Sequence, residues 1–330
     1  MKRIPAIVLL AVVCLLLLYG FLAFTQLSVA SAMSDLIHGS LGGSSQISQT
    51  FQHATPLLVA AVAVFVALRA GLFNIGVEGQ FVIGALATGF IGTKLSGGLG
   101  MTVAIFGGAA MGALWSFPAG WIKAYKGGHE VITTIMLNSV AGYIAVGLAS
   151  GPIKQAGQES PQTAKILATM PSIPMGGLSI SWATLIAFFL PLLAGLWFSR
   201  SVKGFETDAT GANIHAARQA GINTKRVIVR TMVVSGAIAG LAGALQVVAY
   251  SHRFYPDISS GTGFDALGVA LLAGSYSWVL IPAAFAFGML YQASPLLQID
   301  GLPKGIVDIL LAIMIIVGAA IRFRRLKALG

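Results

Sequence analysis

The stretch Leu68-Arg69-Ala70-Gly71-Leu72-Phe73-Asn74-Ile75-Gly76-Val77-Glu78-Gly79-Gln80 interrupts two apolar runs with an Arg, an Asn, a Glu, a Gln and three glycines. Outside a membrane this would be an ordinary polar loop. Its neighbours forbid that reading, because apolar residues run continuously before it and after it, and neither run alternates with the period of a strand. A glycine-rich polar break at membrane depth is tolerated only where it lines a cavity or is buried in protein. The rest of the chain agrees with a lipid setting: 56% of its 330 residues are hydrophobic and 9% are charged, and the mean hydropathy is +0.86. No water-soluble domain of this size carries that balance.

The segments Ile4 to Leu27, Lys94 to Lys123, Glu130 to Lys154 and Arg230 to Arg253 hold no charge between their ends, and each accommodates the ~20 residues of a spanning helix. Backbone groups in lipid must be satisfied within their own segment, so the fold class is all-α and polytopic rather than a barrel. Hydrophobic runs and their breakers place ten segments near 5–27, 54–72, 76–93, 101–122, 130–150, 181–199, 227–250, 263–274, 278–292 and 303–321. Two are broken or short: the one at 68–80, and the run after Gly261-Thr262-Gly263-Phe264-Asp265. Both sit before a long helix in their half of the chain, a weak sign of an inverted repeat.

Ten crossings put both ends on one side. With Lys2 and Arg3 inside, the inner segments carry Arg69, Lys123, Lys126, Arg200, Lys203, Arg218, Lys225, Arg226, Arg230, Arg322, Arg324, Arg325 and Lys327. The outer ones keep only Lys94, Lys154, Lys165, Arg253 and Lys304, so the positive-inside rule favours both termini in the cytoplasm. The first apolar run is too long for a signal-peptide core and reads as an uncleaved helix. Cys14 lies within it, which excludes a disulfide framework and points to packing. Residues 28–50 read as a solvated outer loop, and 151–180, with Pro152, Pro161, Pro171 and Pro174, as a small outer cap or short surface helices.

Formal charge is +10, yet the basic residues form short clusters at helix ends rather than a nucleic-acid patch. No phosphate loop is present, so ATP would be hydrolysed, with Mg, in a partner, and the chain itself binds no cofactor. His38, His53, His129, His215 and His252 are scattered and give no metal-ligand spacing. The cytoplasmic segment 200–230 stands out. Asn213 is a start signal and Gly221 a stop signal for a short helix outside the membrane, with small Ala216, Ala217 and Ala220 suited to docking against another protein; the alternative is an ordinary juxtamembrane loop.

Four ordered motifs resemble the permease subunits of bacterial ABC importers for branched-chain amino acids, simple sugars and nucleosides. They are Gly71 to Gln80, Gly128 to Asn138, Gly211-Ala212-Asn213 through Ala216-Ala217-Arg218 to Gly221-Ile222, and Gly263 to Leu272. The resemblance covers nearly the whole chain, 1–330, as a single permease domain, and the FNIGVEGQ and HEVITTIMLN forms are nearest the nucleoside branch. It implies that Gly211, Asn213, Ala216, Ala217, Arg218 and Gly221 belong to the coupling helix that seats in a cytoplasmic ATPase. It also implies a second homologous permease, as a heterodimer, an extracytoplasmic solute-binding lipoprotein, and a place in the bacterial inner membrane.

Phe73, Asn74, Glu78, Gln80, Asn138, Phe264 and Asp265 are the candidate pathway residues. Glu78, with Arg69 as its expected partner, either ties the helix break together or contacts substrate. Phe73, Phe81 and Phe264 either stack on a base or pack. Asn138 either bonds across helices or faces the pathway. Asp265 is expected to cap its short helix. Gly236, Gly240 and Gly243 form, with Ala239, a face for close helix packing. A different class, an ion- or proton-coupled secondary transporter, would need no ATPase, but offers few embedded acids for a proton relay; a passive channel would need neither.

Overall fold

The computed structural model describes residues 29–299 together with Ile309, Leu311 and Ala312. The expected helix at 5–27 lies outside the described residues, as does all but those three residues of the one at 303–321. Helices α1 (Val29–Leu41), α2 (Ser44–Arg69), α3 (Val77–Gly92), α4 (Gly97–Trp121), α5 (Glu130–Ser150), α6 (Trp182–Arg200), α7 (Val202–Ala212), α8 (Ile214–Gln219), α9 (Thr224–Gln246), α10 (Thr262–Ala273) and α11 (Leu280–Ile299) make up almost all of the regular structure. Single π-helical turns, Ile122–Lys126 and Val247–Ser251, extend α4 and α9. Six of these helices are long and apolar enough to cross a membrane: α2, α4, α5, α6, α9 and α11. The chain is an all-α, multi-pass membrane protein.

The outer segments differ from expectation. Residues 28–50 are mostly helix rather than loop: α1 fills part of them, and α2 begins at Ser44, ten residues before the expected start. Hydroxyls explain it. Ser48 donates to the carbonyl of Ser44 and Thr55 to that of Phe51, both at 2.7 Å, so these polar residues satisfy themselves against the turn behind them. The 151–180 region forms no regular surface helix and ends in a β-hairpin, β1 (Ser172–Met175) and β2 (Leu178–Ser181), with Met175 opposite Leu178. Its two-residue turn is Gly176-Gly177, both at positive φ (56° and 90°), the geometry that matches strand twist.

At the centre, α2 is buried almost all round, from Ala54 to Ala67. Helix α9 packs against α2, α3 and α4 through the small-residue face expected from the sequence. A methyl group at Gly240 would strike the Gly108 carbonyl and Gly112, one at Gly236 would strike Ser116, and one at Gly243 would strike the Phe81 carbonyl. The backbones therefore approach closely, which is how helices associate where lipid and side chain are equally apolar.

Helices α3 and α10 do not span. Their 16 and 12 residues are about 24 and 18 Å long against a hydrocarbon core of about 30 Å. Each follows an irregular stretch that turns back into the protein, 70–76 and 252–261. Gly263 packs directly on the backbone of Glu78, so the two N-termini abut. From that junction α10 runs toward Arg69, which donates to the Ser275 carbonyl at 3.0 Å. Helix α3 runs the opposite way, its Gly92 meeting Ile166. The junction's depth follows from α5: Glu130 pairs with Lys123 at the basic face, and Asn138, eight residues and so about 12 Å further along, bonds beside Glu78.

Candidate functional site

The break at 70–80 is held by amides. Asn74 and Gln80 are fully buried. Asn74 Nδ2 donates to Gln80 Oε1 at 3.0 Å and to Ser235 Oγ at 2.8 Å, while Gln80 Nε2 donates back to Asn74 Oδ1 at 3.1 Å. Ser235 in turn donates to the Ala63 carbonyl at 2.7 Å, tying the break to α2 and α9. From α5, Asn138 Oδ1 accepts from Gly79 N and its Nδ2 donates to the Ile75 carbonyl, both at 2.9 Å. Those are backbone groups that an unbroken helix would have paired. Of the two roles open to Asn138, bonding across helices is the one its geometry takes. Asn74, Gln80 and Asn138 hold the break.

Glu78 is half-buried in the first turn of α3. Its Oε2 accepts from Gly263 N at 2.7 Å, and its other oxygen accepts from Ser259 Oγ. The carboxylate thus lies where two helix N-termini converge, and answers both the free amide and the positive dipole ends. The expected Glu78–Arg69 pair is absent. Arg69 instead pairs with Asp208 of α7 and lies over the Phe198 ring, 4.7 Å from its centroid. The reason is directional: after Arg69 the chain climbs back into the protein, leaving Glu78 and Arg69 at opposite ends of α10, about 18 Å apart for 12 residues.

Asp265 does not cap α10. Gly261, in the left-handed region at φ 87°, occupies that position without a side-chain bond, Glu78 serves the Gly263 amide, and Asp265 accepts from the Tyr291 hydroxyl. Phe81 is fully buried and packs, whereas Phe73 and Phe264 are exposed at 37% and 48%.

Over the junction, on the side away from Arg69, a polar cavity of about 270 Å³ opens between α2, the end of α9, the 255–262 turn and α11. Gln52, His53, Gln246, Tyr250, Tyr255 and Ser259 are among its lining residues. Sequence reading missed them. Gln52 and Gln246 were detectable as amides at the edge of or inside apolar runs; Ser259 and Tyr255 gave no such signal.

At the opposite, basic face, α7 and α8 form a fixed projection. Asn213 caps α8, its Oδ1 accepting from His215 N at 2.9 Å and Ala216 N at 3.0 Å. Gly221, at φ 83°, ends the turn in a conformation that side chains resist. Ala216, Arg218 and Gly221 are exposed, while Ala217 is buried against the chain itself. Gly211 lies against the Arg69 carbonyl and Gly71 so tightly that no side chain fits. Together with the Arg69–Asp208 pair, this ties the projection to the end of α2 and, through Ser275, to the foot of α10. Arg230 adds a 3.3 Å pair to Glu206. Among the described residues no three of His, Cys, Asp and Glu come together to hold a metal ion.

A family described as branched-chain amino acid transport system / permease component matches residues 46–319. The chain is 36% identical to the guanosine ABC transporter permease protein NupP of Bacillus subtilis, over 90% of this chain and 88% of that one. It is 30% identical to the nucleoside ABC transporter permease protein NupB of Lactococcus lactis, covering 85% and 81%. The glucose ABC transporter permease protein TsgB13 of Haloferax volcanii is also 30% identical, covering 82% and 75%. No solved structure matches the chain.

Proposed function

The chain belongs to the branched-chain amino acid transport system / permease component family, and from that premise we propose that it forms half of the pathway of an ABC importer that carries nucleosides inward. The observation that carries the reading is the capped, exposed α8 on the basic face, fixed to the foot of α10 through Asp208, Arg69 and Ser275. A push on that projection by an ATPase reaches the half-helix junction without crossing a loose loop. ATP and Mg belong to that partner.

Basic residues gathered around α7, α8 and the starts of α5 and α9 support a cytoplasmic placement of this face. With one further crossing on each flank, ten segments result, two of them half-helices, and both ends lie inside. A bacterial inner membrane is the setting. The other members of the assembly are a second permease and an outer solute-binding lipoprotein. Permease proteins NupP and NupQ in one relative's organism, and NupB and NupC in another's, support a pair of unlike permeases.

Nucleosides are favoured over other solutes by the names of two relatives and by a cavity whose described lining holds amides and tyrosines rather than Lys, Arg, Asp or Glu. Co-purification tests the coupling: Ala216→Glu or Arg218→Glu is expected to release the ATPase while the protein remains folded. Retention of the ATPase by both variants would overturn the assignment of α8. Uptake of labelled nucleosides, in competition with sugars and branched-chain amino acids, tests the substrate class.

A further inference from the structure

The cavity above the junction has features the transport reading does not by itself require. Two of its tyrosines arrive with their hydroxyls already engaged. Tyr250 OH is 3.0 Å from Thr184 Oγ1, which is 3.0 Å from Thr55 Oγ1. Tyr291 donates to Asp265, and its ring lies nearly parallel to that of His53, at 28° and 6.1 Å. The tie to Thr184 fixes the Tyr250 ring and leaves its faces to other contacts, whereas one face of Tyr291 is taken by His53.

The amides of Gln52 and Gln246, by contrast, make no side-chain hydrogen bond among the described residues. Each offers a donor and an acceptor side by side, the pattern carried by the edge of a nucleobase. Ser260 and Thr262 donate to the Asp257 and Ser259 carbonyls and keep acceptor capacity. Among the described residues no Lys, Arg, Asp or Glu lines the cavity, and the nearby Glu78 is already held by Ser259 and Gly263.

We propose that this cavity is a resting site for one uncharged nucleoside within the subunit. The base lies across Tyr250 and Tyr255 with its polar edge toward Gln246 and Gln52, and the sugar lies toward Ser260 and Thr262. The inference rests on the nucleoside reading above and adds a location and a selection rule. A nucleotide brings a phosphate with no cation to meet it, and an amino acid brings two charges; burying either unpaired is costly. A monosaccharide fits the volume but has no π-face for the tyrosines.

The test uses the whole importer in cells, with the Cys14→Ser background so that His53→Cys, at an exposed lining position outside the proposed contacts, supplies the one thiol of this chain. A membrane-impermeant maleimide added outside should label position 53, and adenosine or uridine should slow labelling, while AMP and leucine should not. In parallel, Gln246→Leu should lower nucleoside uptake at subsaturating concentration by about tenfold, as loss of one buried hydrogen bond does, with the ATPase still co-purifying. If wild type takes up nucleosides but Gln246→Leu matches it and no nucleoside protects position 53, the site is wrong and the transport reading stands. If wild type takes up no nucleoside at all, the transport reading fails, and this inference with it.

Discussion

Replacing Glu78 with alanine removes a carboxylate that sits where both half-helix N-termini meet. Two hydrogen bonds to a charged acceptor disappear, those from Gly263 N and Ser259 Oγ. Each such bond contributes roughly 1.5–3 kcal/mol when fully buried. Glu78 is only half-buried, so water replaces part of the loss, and Glu78→Ala is expected to destabilise by about 2–4 kcal/mol. Glu78→Gln keeps an acceptor for the Gly263 amide and should cost about 1 kcal/mol. Unfolding of the purified protein in mixed micelles, followed by tryptophan fluorescence, gives both values. The sharper measurement is a double-mutant cycle with Arg69→Met. Residues at opposite ends of α10 should show coupling below about 0.5 kcal/mol. A coupling of several kcal/mol, or Gln proving worse than Ala, would refute the junction and restore the direct Glu78–Arg69 pair.

Two other substitutions test the frame around the junction. Arg69→Ala should abolish uptake while leaving the ATPase bound, and Arg69→Asp combined with Asp208→Arg should recover part of it. Recovery stays partial because Arg69 also holds the Ser275 carbonyl and lies over Phe198; transport assays on the single and double variants decide this. Gly240→Ala should destabilise by about 1–3 kcal/mol, since its methyl strikes the Gly108 carbonyl and lies 2.9 Å from Gly112 Cα. Gly142→Ala, with nothing within 4 Å, should be neutral in the same unfolding assay.

The sequence made the membrane class legible because apolar runs and their polar breaks are local properties. It also revealed the small-residue face of α9, since Gly236, Gly240 and Gly243 recur at helical spacing. The shortness of the second broken segment was visible too. What local pattern could not carry was direction. Glu78 and Arg69 are neighbours along the chain, and only the climb of 70–76 back into the protein separates them. The true partners, Ser259 and Gly263, come from a turn about 180 residues away. Burial on so short a helix was equally hidden: Ala216 and Ala217 look alike in sequence, but one faces out and the other in. The start of α2 was obscured because Ser and Thr that bond to the preceding turn have the composition of a loop.

The central claim is that the chain moves a nucleoside only when an ATPase grips its basic face. The most direct measurement is uptake of labelled nucleoside into proteoliposomes holding this chain, the second permease and the ATPase, with the solute-binding protein added on the opposite side from ATP. Uptake should require ATP and stop when the ATPase phosphate-loop lysine is replaced. Undiminished uptake without ATP hydrolysis, whether driven by an ion gradient or passive, would contradict the account.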